Sequence, residues 1–164
     1  MASFKYHAVP GFGEECREKY GFSDACIIGN RLVVTGQTGM DPLTRETSPK
    51  IEQQIAQAFK NINDLIIHTL TQEGHALEVG RTGWDYVVKL RAFFVGLSGM
   101  RVEARENMVK FIKKWCPRHQ PLFTMVGIES LPFPEHLVEF EVDNEWYSWL
   151  VSLLSVPELL RLTS

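Results

Sequence analysis

The clearest helical periodicity in the chain begins after Pro49. Ile51, Ile55, Ala58, Ile62, Leu65 and Ile66 recur at three- and four-residue steps, which makes one apolar face of a helix. Ser48 and Pro49 suit its start, by side-chain capping and a fixed φ, and Gly74 marks its end. A second helix is read over "RVEARENMVKFIKKW", residues 101–115, with Val102, Met108, Val109, Ile112 and Trp115 as its inner face. It ends at Cys116, because a residue before proline resists the α region.

Elsewhere the pattern is that of strands. "SFKYHAV" alternates weakly and predicts a first strand. "ACII" and "RLVVTGQ" flank Gly29-Asn30 and predict a hairpin. "DYVVKLRAFFVG" predicts a central strand, and "PLFTMVGI" and "LVEFEV" predict two more, joined by the Pro-rich turn "ESLPFPEH". "PGFGEECREKYGFSD" is rich in glycine and charge and reads as a loop, as does "TGMDPLTRETSPK". The order predicts an α+β domain, a mixed sheet with two helices on one face. One apolar face of the sheet is then expected to be left without cover, which calls for a partner, most simply another copy of the chain.

Composition narrows the classes. The chain has 164 residues, enough for one domain with a substantial core, and a net charge of −3. That balance gives no pull toward nucleic acid or anionic membranes. The basic cluster Lys110, Lys113, Lys114 and Arg118 reads as a solvated helix edge. Three cysteines without metal-ligand spacing argue against a disulfide framework or a zinc site, and no apolar signal core opens the chain. A cytoplasmic location is expected. Residues 144–164 continue past the last strand with an amphipathic pattern, Ser148, Ser152 and Ser155 opposite Trp146, Leu150, Leu153 and Leu154. Two units are expected, a domain over 1–143 and this extension. The extension is too short and serine-rich to span a bilayer, so it reads as a docked helix, with a lid or a membrane-surface contact as alternatives.

"RLVVTGQTGMDPLTRE", "IEQQIAQAFKNINDLI", "YVVKLRAFFV", "IESLP" and "LVEFEV", in this order and spacing, resemble the RidA (YjgF) family over residues 20–143. The resemblance implies a chorismate-mutase-like domain assembled as a homotrimer, with the sheets forming an inner barrel and clefts between subunits. It implies hydrolysis of reactive enamines and imines such as 2-aminoacrylate, without metal or organic cofactor. Some members carry an endoribonuclease description.

The family pattern also assigns site residues, and here the chain departs from it. In the family's deaminases an arginine eight residues before the Leu-Pro turn grips the substrate carboxylate. In "RHQPLFTMVGIESLP", residues 118–132, that position is Phe123. A bidentate guanidinium–carboxylate contact contributes about 1.5–3 kcal/mol net, so its loss is expected to weaken binding by about one to two orders of magnitude. Phe123 reads either as a core aromatic or as the wall of a pocket rebuilt for an apolar ligand. The pocket tyrosine aligns with Phe22 and the pocket asparagine with Arg105, a new cation that is either functional or merely solvated. Thr35 and Gly36 keep the glycine turn where backbone approaches ligand. Gln120, with His119, would stand at the cleft rim, and Met125 completes the implied substrate-binding set.

Glu139 aligns with the glutamate that positions the attacking water. In "LVEFEV" it alternates with Val138, Phe140 and Val142, so it faces away from the helices if those three pack beneath them. Burial there would make it a usable acid or base; the alternative is a surface carboxylate in salt bridges. The expected function is acid/base or hydrolytic chemistry on an imine, enamine or related carbonyl compound, in a specialised pocket rather than a standard 2-aminoacrylate site. The alternatives are a non-catalytic small-molecule-binding or chaperone-like trimer and an endoribonuclease-like member, the last opposed by the charge balance.

Overall fold

The computed structural model describes residues 4–75 and 77–145. Six strands form one mixed sheet: β1 (Phe4–His7), β2 (Ala25–Ile28), β3 (Arg31–Thr38), β4 (Val87–Val95), β5 (Leu122–Ile128) and β6 (Val138–Glu145). Their spatial order is β1-β2-β3-β6-β4-β5, antiparallel throughout except for β4 and β5. The predicted hairpin is present, and Gly29, at φ 62°, supplies its left-handed turn residue. The parallel pair is linked by α3 (Leu97–Trp115), which packs back on the sheet. The domain expected to end at residue 143 continues in β6 to Glu145. The amphipathic extension expected beyond it lies, from residue 146, outside the described residues.

The apolar stripe read from sequence on α2 (Ile51–Gln72) is the centre of the core. All six of its residues are buried, together with Phe59 and Leu70. Phe59 stacks on Trp84, ring centroids 4.4 Å apart, and the Trp84 indole donates to the Phe59 carbonyl at 2.8 Å, which satisfies its one donor inside the core. Beneath the helices lie Leu32 and Val34 of β3, Leu90, Ala92 and Phe94 of β4, and Val138, Phe140 and Val142 of β6. Each of these side chains larger than alanine contributes roughly 1.5–3 kcal/mol by leaving water.

Three expectations need correction. There are three helices among the described residues, not two: the stretch read as a loop forms α1 (Phe12–Tyr20), closed by Gly21 at φ 77°. On α3 the inner face is Ala104, Met108 and Phe111, with Ile112 and Trp115 partly buried, whereas Val102 and Val109 are exposed. The sheet face away from α2 is not uniformly apolar. It carries cross-strand charges, with Arg91 bound to Glu141 at 2.9 Å and facing Asp143 at 3.6 Å, beside exposed Tyr6 and Leu122.

Candidate functional site

α2 carries two buried amides, and they build the site's frame. Gln54, fully buried, donates to the carbonyls of Ser48 (2.7 Å) and Glu135 (2.9 Å) and accepts from the Leu137 N–H (2.8 Å). Asn61 donates to the carbonyls of Thr38 (3.0 Å) and Met40 (2.8 Å). One helix therefore holds both the end of β3 and the turn that leads into β6. Buried backbone groups that would otherwise be orphaned find partners in this way. Both residues lie in the stretch "IEQQIAQAFKNINDLI".

A cavity of about 500 Å³ opens between these segments and α1. Phe12, Tyr20, Phe22 and Phe133 give it aromatic walls, and Cys16, Asp24, His136 and Glu139 bring titratable groups to it. No lysine or arginine lines it among the described residues. Phe12, Cys16 and Tyr20 come from α1, four residues apart on one face. Arg45 ties the following loop to α1 by pairing with Glu15 and lying over the Phe12 ring at 5.4 Å.

Glu139 lies flat against Gly36. A Cβ at Gly36 would stand 2.1 Å from Glu139 Oε1, so only glycine leaves the carboxylate room. β3 is irregular here, its register with β6 shifting between Val34 and Gln37. Burial pushes the Glu139 carboxyl above the usual carboxylate range, and the neighbouring Glu141 charge adds to the shift. Asp24 is raised for the same first reason, opposed by the Val9 N–H that donates to it at 2.8 Å. Its approach to α1 requires Gly13, whose Cβ would meet Asp24 Oδ2 at 1.8 Å. Burial also raises the Cys16 thiol, with Asp24 and Glu15 adding to it, and burial lowers His136 despite the adjacent Glu135.

The residues singled out from sequence fall into two groups. Phe22, Thr35, Gly36 and Glu139 line the one cavity. Phe22 sits at the exposed margin, its ring 6.3 Å from Tyr20. Arg105, Gln120, Phe123 and Met125 do not line it. Register explains why: Phe123 pairs with Leu90 and Met125 with Ala92, on the sheet face beneath the helices, whereas Glu139 pairs with Phe93 and Thr38 on the opposite face. β5 is an edge strand, so Phe123 stays 40% exposed. Arg105 is exposed on α3, Gln120 is exposed before β5, and the His119 ring is bound to the Val87 carbonyl at 2.8 Å.

Sequence reasoning missed Cys16, Asp24 and His136. The four-residue spacing of Phe12, Cys16 and Tyr20 between Gly11 and Gly21 was a usable signal for α1 and hence for Cys16. No metal-binding group of three or more His, Cys, Asp or Glu side chains exists among the described residues, and no helix among them is long and apolar enough to cross a membrane.

The chain's residues 14–145 match the family described as endoribonuclease L-PSP. No curated protein sequence matches it. Its structure is similar to Rv2704 of Mycobacterium tuberculosis, a member of the YjgF/YER057c/UK114 family, at 25% identity and TM-score 0.63, covering 88% of this chain and 100% of the other. It is similar to RidA of a Psychrobacter species at 25% identity and TM-score 0.59, covering 87% and 94%. The fold is also that of the YjgF gene product of E. coli, at 20% identity and TM-score 0.61, covering 77% and 88%.

Proposed function

Because the chain belongs to the endoribonuclease L-PSP family, the YjgF/RidA proteins, we propose that it hydrolyses an imine or enamine whose body is apolar and which lacks the α-carboxylate. The observation that carries this reading is Glu139: a carboxyl held against Gly36, desolvated, in an aromatic cavity that no lysine or arginine lines among the described residues. A carboxyl shifted toward neutrality both takes and gives a proton efficiently. As a carboxylate, Glu139 takes a proton from water while the oxygen bonds to the carbon of the protonated C=N group, whose π pair moves to nitrogen. It then returns that proton to nitrogen; as the C–N bond breaks, the hydroxyl oxygen forms the C=O bond and its proton passes through water to the departing ammonia or amine.

The assembly proposed is a homotrimer. Within one chain the β5 and α3 residues Phe123, Met125 and Arg105 cannot reach the cavity, because they stand apart from it. A neighbouring copy would present them. The acidic side chains of the cavity speak against a polyanionic substrate at this site, and so against ribonuclease action there.

The test offers the protein two imines of one carbon frame, with and without an α-carboxylate. Faster hydrolysis of the neutral frame is expected, with Glu139→Gln lowering turnover by about 10²–10⁴-fold and the fold unchanged by circular dichroism. Preference for the acid, or an unaffected Gln variant, refutes the reading.

A further inference from the structure

We propose that Asp24 reads the charge of the ligand: its free carboxylate oxygen accepts a hydrogen bond from the N–H of an organic ammonium or iminium group bound in the aromatic cavity. This inference rests on the cavity named above as the binding site, and not on the hydrolysis assigned to Glu139.

Asp24 is 8% exposed. Its main chain is fixed on both sides, the N–H donating to the His7 carbonyl at 2.9 Å and the carbonyl accepting from the Thr35 N–H at 2.9 Å. The carboxyl is held at one oxygen, Oδ2, which accepts from the Val9 N–H at 2.8 Å and lies against Gly13. Oδ1 has no hydrogen-bond partner among the described residues and is not sealed from solvent. The neighbours of the carboxyl say which way it faces. Val9 and Gly13 touch it, and the Cys16 thiol feels its charge. All three line the aromatic cavity, and none lines the second cavity that Asp24 also borders, about 670 Å³ in volume.

A carboxylate this buried is normally paired with a cation. Asp24 forms no ion pair among the described residues; Arg17 and His68 act on it electrostatically without lining the cavity. One backbone N–H does not offset the lost water, and the carboxyl's affinity for a proton is raised. A cationic ligand supplies the missing partner. Tyr20, Phe22 and Phe133 add aromatic surfaces, which attract a cation while excluding water. The ligand class that fits is a protonated amine or imine with an apolar body. A neutral ligand of the same shape forgoes the charge-assisted bond.

The test measures binding rather than turnover. The full chain is titrated calorimetrically with benzylamine, which is cationic at neutral pH, and with benzyl alcohol, its neutral counterpart of nearly the same size. Benzylamine is expected to bind about tenfold more tightly or better. Asp24→Asn keeps an acceptor for the Val9 N–H and removes the charge. It should bring the two affinities within about twofold by weakening benzylamine alone, and it should melt no lower than the unsubstituted protein, because an unpaired buried charge has gone. Equal affinity for the two probes in the unsubstituted protein overturns the proposal, as does an Asn variant that keeps the preference or loses both probes equally, or failure of either probe to bind at tens of millimolar. Should the Asn variant not fold, the Asp24 carboxyl ¹³C resonance of the unsubstituted protein decides. A shift with benzylamine and not with benzyl alcohol supports the contact, and no shift overturns it. Hydrolysis of the carboxylate-free imine without a preference for benzylamine would leave the role of Glu139 standing and remove that of Asp24; an Asp24-dependent preference without hydrolysis would do the reverse.

Discussion

Gly36→Ala isolates the contact on which the site is built. The added Cβ would stand 2.1 Å from Glu139 Oε1, 2.4 Å from Cδ and 2.8 Å from Cγ, where ordinary contact begins near 3.4 Å. The carboxylate must therefore retreat by about 1.3 Å. Gly36 does not have the positive φ that restricts a position to glycine, so the perturbation runs through Glu139 rather than through backbone strain. Overpacking of this kind costs about 1–3 kcal/mol, and misplacing a reacting group by about 1 Å can cost about 100-fold in rate. Glu139→Ala removes all three clashing atoms, so in that background Gly36→Ala should cost little. The assay is a double-mutant cycle from urea unfolding of the four proteins, with imine turnover measured for Gly36→Ala. A coupling of about 0.5–3 kcal/mol is expected. Additive costs, the same in both backgrounds, refute the packing of Glu139 on Gly36 and the role built on it.

Two further outcomes follow from the same structure. Glu139 binds its proton more tightly folded than unfolded, because burial raises its carboxyl. Stability contributed by this group is thus present at low pH and lost as pH rises from the ordinary carboxylate range through the raised folded value. Glu139→Gln should therefore melt higher than the unsubstituted protein at neutral pH and converge with it below about pH 4; equal melting curves at every pH would contradict the burial argument. Light scattering should give a native mass near three times 18.8 kDa, and a monomer would remove the assembly proposed for the cleft.

The fold was legible where side-chain pattern and packing agree. On α2 the sequence shows the stripe from Ile51 to Ile66, because every third or fourth residue there is aliphatic and the helix is long. α1 was obscured because its glycines and charges resemble a loop, although three apolar residues four apart were present. On α3 the β-branched Val102 and Val109 looked like core, yet packing selected Ala104, Met108 and Phe111. Alternation in "LVEFEV" placed Glu139 correctly on the face away from Phe140. The same logic could not place Phe123, since an edge strand has two half-covered faces and only pairing with Leu90 decides between them. His136 was invisible for a different reason: no local pattern shows that a buried ring lacks partners.

The charge economy of the site follows from this division. Among the described residues no lysine or arginine lines the cavity to which Asp24 and Glu139 bring their buried carboxyls; Arg17 and His68 act electrostatically on Asp24 without lining it, and Arg91, on the same sheet face as Glu139, is already engaged by Glu141 and Asp143. A ligand bringing a carboxylate would meet like charge and, among the described lining residues, no lysine or arginine, an arrangement that costs more as the dielectric falls. A ligand bringing a protonated imine nitrogen would instead gain from both carboxyls and would lower their raised affinity for protons. In the proposed trimer, Phe123 of a neighbouring copy would add an aromatic edge in the place of a cation, and that edge and the acidic lining would disfavour the same anionic group.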